Sequence, residues 1–169
     1  QLLESQILGS NQAAVTFSSL GTYAANYRHL QIRVLARSAK SDTFDVLRFR
    51  FNGDTGANYA RHALWGTSSV VESVGASGET RGYIGFVDGN TASGSSYAAT
   101  IIDILEPFST TKTKNVRSRG GMQNQTQSYT AHFSSLWNST ASVTSISFES
   151  DANANILAGL RFSLYGIRA

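Results

Sequence analysis

The feature that most constrains the fold of this chain is an alternation of apolar and polar residues with a period of two. It is clearest at residues 29–37 (HLQIRVLAR) and 45–52 (DVLRFRFN). A period of two places the apolar residues on one face of a β-strand and the polar residues on the opposite face. The positions that we expect to face a core are Leu30, Ile32, Val34, Ala36, Leu47, Phe49 and Phe51.

Comparable segments recur along the chain and are separated by turn-forming residues. We expect turns at Asn52–Gly53, at residues 75–82 (GASGETRG) and at Gly120–Gly121, and a loop leading into an edge strand at residues 106–115. The pattern indicates about nine or ten short strands. We therefore predict an all-β protein, with one antiparallel, jelly-roll-like β-sandwich domain over residues 1–169.

The composition disfavours several classes of protein. Only 15% of the 169 residues are charged, so hydroxyl and amide side chains must cover much of the surface, as they do at outward strand positions. The chain contains no Cys, which excludes disulfides and thiolate metal sites. The net charge of +3 is low for a dedicated nucleic-acid-binding protein. No apolar run approaches the ~20 residues of a membrane span. We expect neither nucleic acid nor a membrane as a partner.

The letters D-T-G-A at residues 54–57 match the core of the active-site signature of retrovirus-type aspartic proteases. Such a site needs two carboxylates that share one proton, and therefore a symmetric dimer of so short a chain. Here Asp54 directly follows Asn52–Gly53, which is the strongest short signal for a β-hairpin. We interpret Asp54 as a residue of a hairpin turn. Because no other catalytic motif stands out, we predict a non-enzymatic protein.

The sequence gives no strong signal for a metal ion or a cofactor. Oxygen-bearing side chains such as Asp42, Asp54 and Asn58 could hold calcium, but the EF-hand spacing with its final Glu is absent. Turn-forming Asp and Asn residues explain the same letters. The three histidines lie in strand-like segments without the spacing of a metal site. We predict no metal site and no cofactor.

Two groups of basic residues are candidate binding residues. The first group would line one sheet face, and the second would form a basic edge, where both could meet an acidic partner such as another subunit or an anionic glycan. Basic residues on edge strands also block unwanted strand pairing, so both interpretations stay open. The first group consists of Arg33, Arg37, Arg48 and Arg50. The second group consists of Lys112 and Lys114, continued by Arg117 and Arg119.

Aromatic residues at or near the predicted loops are further candidates. Aromatic side chains at loop tips can stack on sugars or fill a protein interface, whereas those at strand ends more often cap the core of a sandwich. Capping of the core is the interpretation that we favour. The candidates are Tyr59, Trp65 and Tyr129, together with Tyr23 and Tyr27.

Five blocks of the sequence, taken in order, resemble a family of bacteriophage virion proteins that is widespread among phages of aquatic bacteria. The blocks are YRHLQIRVLARS, LRFRFNGDTGANYARH, IIDILEPFSTTKTKNVRSRGG, LWNSTASVTSISF and RFSLYGIRA. Together they cover nearly the whole chain, and the specificity of the resemblance comes from their order. The resemblance implies a β-sandwich on the particle surface, as capsid decoration or as part of a tail fibre. It implies no catalytic residues.

From this resemblance we expect a structural protein of the virion that decorates the capsid and stabilises the head. Its partners would be other virion proteins, such as the major capsid protein. A homotrimer is expected by analogy with the three-fold positions of icosahedral shells. Residues 1–8 are a candidate N-terminal arm that adds a strand to the shell. The alternative is a receptor-binding module of a tail fibre, which would recognise a host surface glycan through loop aromatics and amides.

Overall fold

Twelve β-strands among residues 1–168 pack as two facing antiparallel sheets. This computed structural model describes residues 1–168, and a single 3-10 helix, Leu20–Tyr23, is found among them. No helix in that range is long and apolar enough to cross a membrane. The strands are β1 (Leu2–Ile7), β2 (Ala14–Phe17), β3 (His29–Ala36), β4 (Phe44–Phe51), β5 (Tyr59–Gly66), β6 (Val71–Glu79), β7 (Gly82–Asp88), β8 (Ala98–Leu105), β9 (Lys114–Gln123), β10 (Ser128–Trp137), β11 (Ile146–Ser150) and β12 (Arg161–Ile167).

The strand order confirms the predicted jelly-roll-like sandwich. The small sheet has the order β2-β11-β4-β7, and the large sheet has the order β1-β12-β3-β8-β9-β10-β5-β6. A jelly roll of eight strands alternates between two four-stranded sheets. Here β2, β11, β4 and β7 form one such sheet, and β3, β8, β5 and β6 occur in that order in the other. The large sheet is wider because the β9–β10 hairpin is inserted between β8 and β5, and because β12 and β1 extend it beyond β3.

Side chains from both sheets meet in one continuous core. The ring centroid of Phe51 in the small sheet lies 5.4 Å from that of Trp137 in the large sheet. The ring centroid of Phe148 in the small sheet likewise lies 5.5 Å from that of Phe162 in the large sheet. Full burial of such a side chain stabilises the fold by ~1.5–3 kcal/mol. All seven positions that the alternation assigns to the core are at most 4% exposed. The predicted inward faces of β3 and β4 are therefore confirmed.

The chain has more strands than the nine or ten expected, because β6 and β9 contain residues typical of turns. β6 includes Gly75 and Gly78 and lies at one edge of the large sheet. β9 continues through Gly120–Gly121 in the interior of that sheet, between β8 and β10. A Cβ at Gly120 would overlap Thr100, so glycine here permits a close approach of strands rather than a turn. The turn expected at Gly120–Gly121 is wrong, and the strand expected after the 106–115 loop lies in the interior of the sheet rather than at its edge. The turn expected over residues 75–82 is confirmed only at residues 80–81, between β6 and β7.

The N-terminal segment is part of the large sheet rather than a separate arm. β1 pairs with β12 in antiparallel register. The amino group of Gln1 donates to the carbonyl oxygen of Gly166 at 2.9 Å, and the Leu8 amide donates to that of Leu160 at 2.9 Å. Residues 1–8 thus form an edge strand of this fold.

Asn52–Gly53 forms the expected tight turn, but the turn does not close a hairpin. Both residues have positive φ angles, 53° and 67°, as in a type I′ turn. However, β4 belongs to the small sheet and β5 to the large sheet. Residues 54–58 cross the gap between the sheets, which is ~10 Å in a sandwich. The expected pairing of β4 with β5 is wrong, because each strand pairs instead within its own sheet.

Candidate interaction surface

The large sheet has one face on the core and one face in solvent, which we call the outer face. Residues paired across neighbouring strands point to the same side, so the register fixes which side chains share it. Leu64 and Ile101, which are 52% and 37% exposed, lie in a row that crosses the whole sheet. This row contains Ser5, Ser163, Arg33, Ile101, Arg119, His132, Leu64 and Ser73.

Most of the exposed large apolar side chains of the protein lie on the outer face. Of the ten in the described chain, only Val70 and Tyr97 fall outside the strands that form it. Scattered apolar residues are normal on a protein surface, but their concentration on one face is typical of an interaction site. The eight residues on the outer face are Leu2, Ile7, Leu35, Leu64, Val71, Ile101, Leu105 and Ile167.

The charged residues of the outer face are mostly arginines that lack a carboxylate partner. Seven of the 14 Lys and Arg residues lie within 4.0 Å of a carboxylate of residues 1–168, but none of these seven is on the outer face. Asp103, the single carboxylate that the described strands place on the face, accepts a hydrogen bond from Gln31 at 2.9 Å. The face therefore has an excess of positive charge. Its arginines are Arg33, Arg117, Arg119 and Arg161.

All three histidines also lie on the outer face, His29 on β3, His62 on β5 and His132 on β10. The Nδ1 atom of His29 accepts a hydrogen bond from the amide of Glu106 at 3.0 Å. His132 lies between Arg119 and Leu64 in the register and lines a largely apolar groove with them. His29 has the outward parity of Arg33 in the period-two alternation of residues 29–37, in agreement with its place on the outer face.

The solvent face of the small sheet has a different chemistry, because its charges are paired. Arg48 donates to Asp151 at 2.7 Å, and Arg50 donates to Glu149 at 2.5 Å. Arg81 lies 3.3 Å from the same Glu149. This network leaves no comparable group of free cations on that side of the described chain.

The four arginines that were expected to line one sheet face lie in three different environments. Arg33 is on the outer face, where its guanidinium lies 4.9 Å from the ring centre of Tyr165. Arg48 and Arg50 belong to the paired network of the small sheet. Arg37 is only 6% exposed and donates to backbone carbonyls of the 89–97 loop. The expectation of one shared face is wrong, because β3 and β4 belong to different sheets.

The two candidate lysines do not form a basic edge. Lys114 is fully buried, and its Nζ atom donates to three backbone carbonyls. Lys112 is exposed and is paired with Glu106, which also binds Arg28. Hydrogen bonds from Lys112 and Arg28 lower the pKa of Glu106 to about 2. Arg117 and Arg119, which continued this group in the sequence, are the members that lie on the outer face.

The candidate aromatic residues pack inward, as the core-capping interpretation predicted. Tyr59 is 1% exposed, and its hydroxyl oxygen accepts a hydrogen bond from the Phe51 amide at 3.0 Å. Burial raises the pKa of this phenol to about 12. Trp65 and Tyr129 are half-buried, and both pack against Phe86, with ring centroids 5.7 and 4.4 Å away.

Asp54 is held as a turn residue by its neighbours. Its carboxylate accepts hydrogen bonds from Trp137 Nε1 at 2.6 Å, from Asn58 at 2.9 Å and from the Gly56 amide at 2.8 Å. The bond from Trp137 is the main reason that the pKa of Asp54 lies below its usual value. In residues 1–168 no group of three or more His, Asp or Glu side chains is placed to hold a metal ion.

In comparisons with known proteins, no protein-family model matches the chain and no curated protein matches it significantly. The outer face therefore has to be interpreted from its own chemistry. That chemistry was only partly visible in the sequence: Arg33, Arg117 and Arg119 were identified, whereas Arg161 and the aliphatic residues between the arginines were not. Ile101 and Leu105 lie in the run AATIIDIL, where continuous apolar character hides which side chains point outward.

Proposed function

We propose that this protein is a non-enzymatic structural component of a phage virion, which decorates the capsid and stabilises the head. The observation that carries the proposal is the outer face, where eight exposed aliphatic side chains share one sheet surface with four arginines that have no carboxylate partner among residues 1–168. A surface of this kind is suited to binding another protein rather than to catalysis. The resemblance of the five sequence blocks to phage virion proteins supports the same assignment.

The size of the outer face supports a stable contact with another virion protein. Eight strands spaced ~4.8 Å apart, with about seven residues each rising ~3.3 Å, give a face of about 900 Å². A standard protein–protein interface covers ~800 Å² on each partner. The face is therefore large enough to seat one capsid protein or one tail protein. The homotrimer inferred by analogy with capsid three-fold positions would then use a different surface.

The alternative function, a tail-fibre module that binds a host glycan, has less support. It depended on loop aromatics that could stack on sugars. Tyr59 is buried, and Trp65 and Tyr129 are packed against Phe86. Stacking on a sugar requires an exposed ring face, and packing against Phe86 reduces the ring area that Trp65 and Tyr129 offer.

Labelling of intact particles tests the proposal. An antibody raised against the purified chain and tagged with gold would be imaged on negatively stained phage particles. We expect label over the heads. Label confined to tail tips would replace the proposal with the glycan-binding alternative, and particles without label would refute a role in the virion. Particles of an unrelated phage serve as the control for non-specific label.

A further inference from the structure

Resting on the proposed function, we infer that the occupant of the outer face is a different protein, one with an acidic surface that also carries aliphatic side chains. The inference follows from the composition of the face. Four arginines, none of them paired with a carboxylate of residues 1–168, are interspersed with eight aliphatic residues across the large sheet. A partner that satisfies both groups must offer carboxylates and apolar contact area within the same footprint.

The charges of the chain argue against a second copy as the occupant. Two outer faces packed against each other would bring the four arginines of each copy into one interface with only Asp103 of each copy to offset them, and like charges across an interface cost several kcal/mol. The chain also offers little acidic surface elsewhere. Of its 11 Asp and Glu residues, five are in ion pairs and Asp45 and Asp88 are buried. The five in ion pairs are Asp42, Glu79, Glu106, Glu149 and Asp151.

The shape and the apolar content of the face argue against nucleic acid. A broad eight-stranded face cannot enter the major groove, which is ~12 Å wide and admits a helix or a two-stranded ribbon. A nucleic-acid backbone would satisfy the arginines but would leave side chains such as Ile101 and Leu105 against charged phosphates. Arg119 on β9 is paired with Ile101 on β8. A partner that binds the arginine must therefore also offer apolar contact to the isoleucine.

The test measures binding of the purified chain to fluorescent polyanions of known chemistry. The probes are poly-L-glutamate, a random copolymer of glutamate with a minority of leucine, and double-stranded DNA. We expect the copolymer to bind most tightly. The double variant R33E/R119E should bind it at least tenfold more weakly, because opposite charges on the face become like charges. R168E, which reverses an exposed arginine next to the end of β12, is the control, and its affinity should stay within about twofold of wild type.

Each other outcome overturns the inference. Equal affinity of R33E/R119E and wild type would show that the outer face is not the binding surface. Tighter binding of DNA, lost in R33E/R119E, would assign the face to nucleic acid. Self-association of the chain alone in sedimentation, abolished in R33E/R119E, would assign it to a second copy. If particles carry no label, the proposed function fails while these titrations still decide the chemistry of the face.

Discussion

Lys114 is expected to be one of the most stability-sensitive polar residues of the protein. Its side chain is fully buried, and its Nζ atom donates to the carbonyl oxygens of Ser109 at 2.8 Å, Lys112 at 2.6 Å and Thr140 at 3.3 Å. These carbonyls belong to two loops, one before β9 and one after β10. A single ammonium group therefore ties both loops to the same end of the sandwich.

The substitution Lys114→Met keeps the alkyl stem and removes the charge. It relieves the desolvation of the ammonium, which costs several kcal/mol in the folded state. It also leaves the two closely bound carbonyls without a donor, at ~1–3 kcal/mol each, and forfeits charged hydrogen bonds worth ~1.5–3 kcal/mol apiece. We expect the free energy of unfolding to fall by about 3 kcal/mol.

Urea unfolding followed by tryptophan fluorescence measures this loss. The matched control is Lys112→Met, whose side chain is 60% exposed and whose pairing with Glu106 should contribute less than ~1 kcal/mol. Limited proteolysis should also cut the loop at residues 106–113 faster in Lys114→Met. A free energy of unfolding for Lys114→Met within ~0.5 kcal/mol of the wild-type value would refute the reasoning, since it would mean that water satisfies the carbonyls equally well.

Three further predictions concern Tyr59, Glu106 and Gly166. Tyr59→Phe leaves the buried amide of Phe51 without its acceptor and should lower the unfolding free energy by ~1–3 kcal/mol; a midpoint equal to wild type would contradict this. The pKa of Glu106 is depressed to about 2, so its stabilising contribution is present above pH ~4.5 and is lost as the pH falls towards 2. Wild type and Glu106→Gln should therefore converge in stability over that range, and a constant difference would argue otherwise. Gly166→Ala brings a Cβ into the ring of Tyr27 and should cost ~1–3 kcal/mol in thermal unfolding, whereas an unchanged melting temperature would show that the ring can move aside.

The sequence predicted the parts of the fold that depend on local alternation. The inward residues of β3 and β4 were identified because each strand has one apolar and one polar face. The interior position of β9 was missed: two of its inward residues, Lys114 and Ser118, are polar and so break the apolar pattern of a central strand. The Ser118 hydroxyl donates to the carbonyl of Ile84 at 2.6 Å, a contact that only the tertiary structure provides. Local alternation of apolar and polar residues therefore does not identify interior strands whose buried polar groups form hydrogen bonds with residues distant in sequence.

The candidate surface was harder to predict, since it depends on which strands become neighbours. The sequence showed that Arg33 points outward, but not that Arg119 lies two strands away with Ile101 between them. Arg48 has the same outward parity as Arg33 and still ends in a paired network, because its strand joins the other sheet. Strand pairing over long sequence separations decides such outcomes, and single-strand parity carries no information about it.

The order of strands in the two sheets also constrains when this protein can fold during its synthesis. β11 lies between β2 and β4 in the small sheet, and β12 lies between β1 and β3 in the large sheet. The earliest strands therefore cannot reach their final neighbours until the last two have left the ribosome. Such non-local pairing is slow and leaves strand edges unprotected while the chain is growing. The two sheets are therefore complete only after β11 has been inserted between β2 and β4, and β12 between β1 and β3.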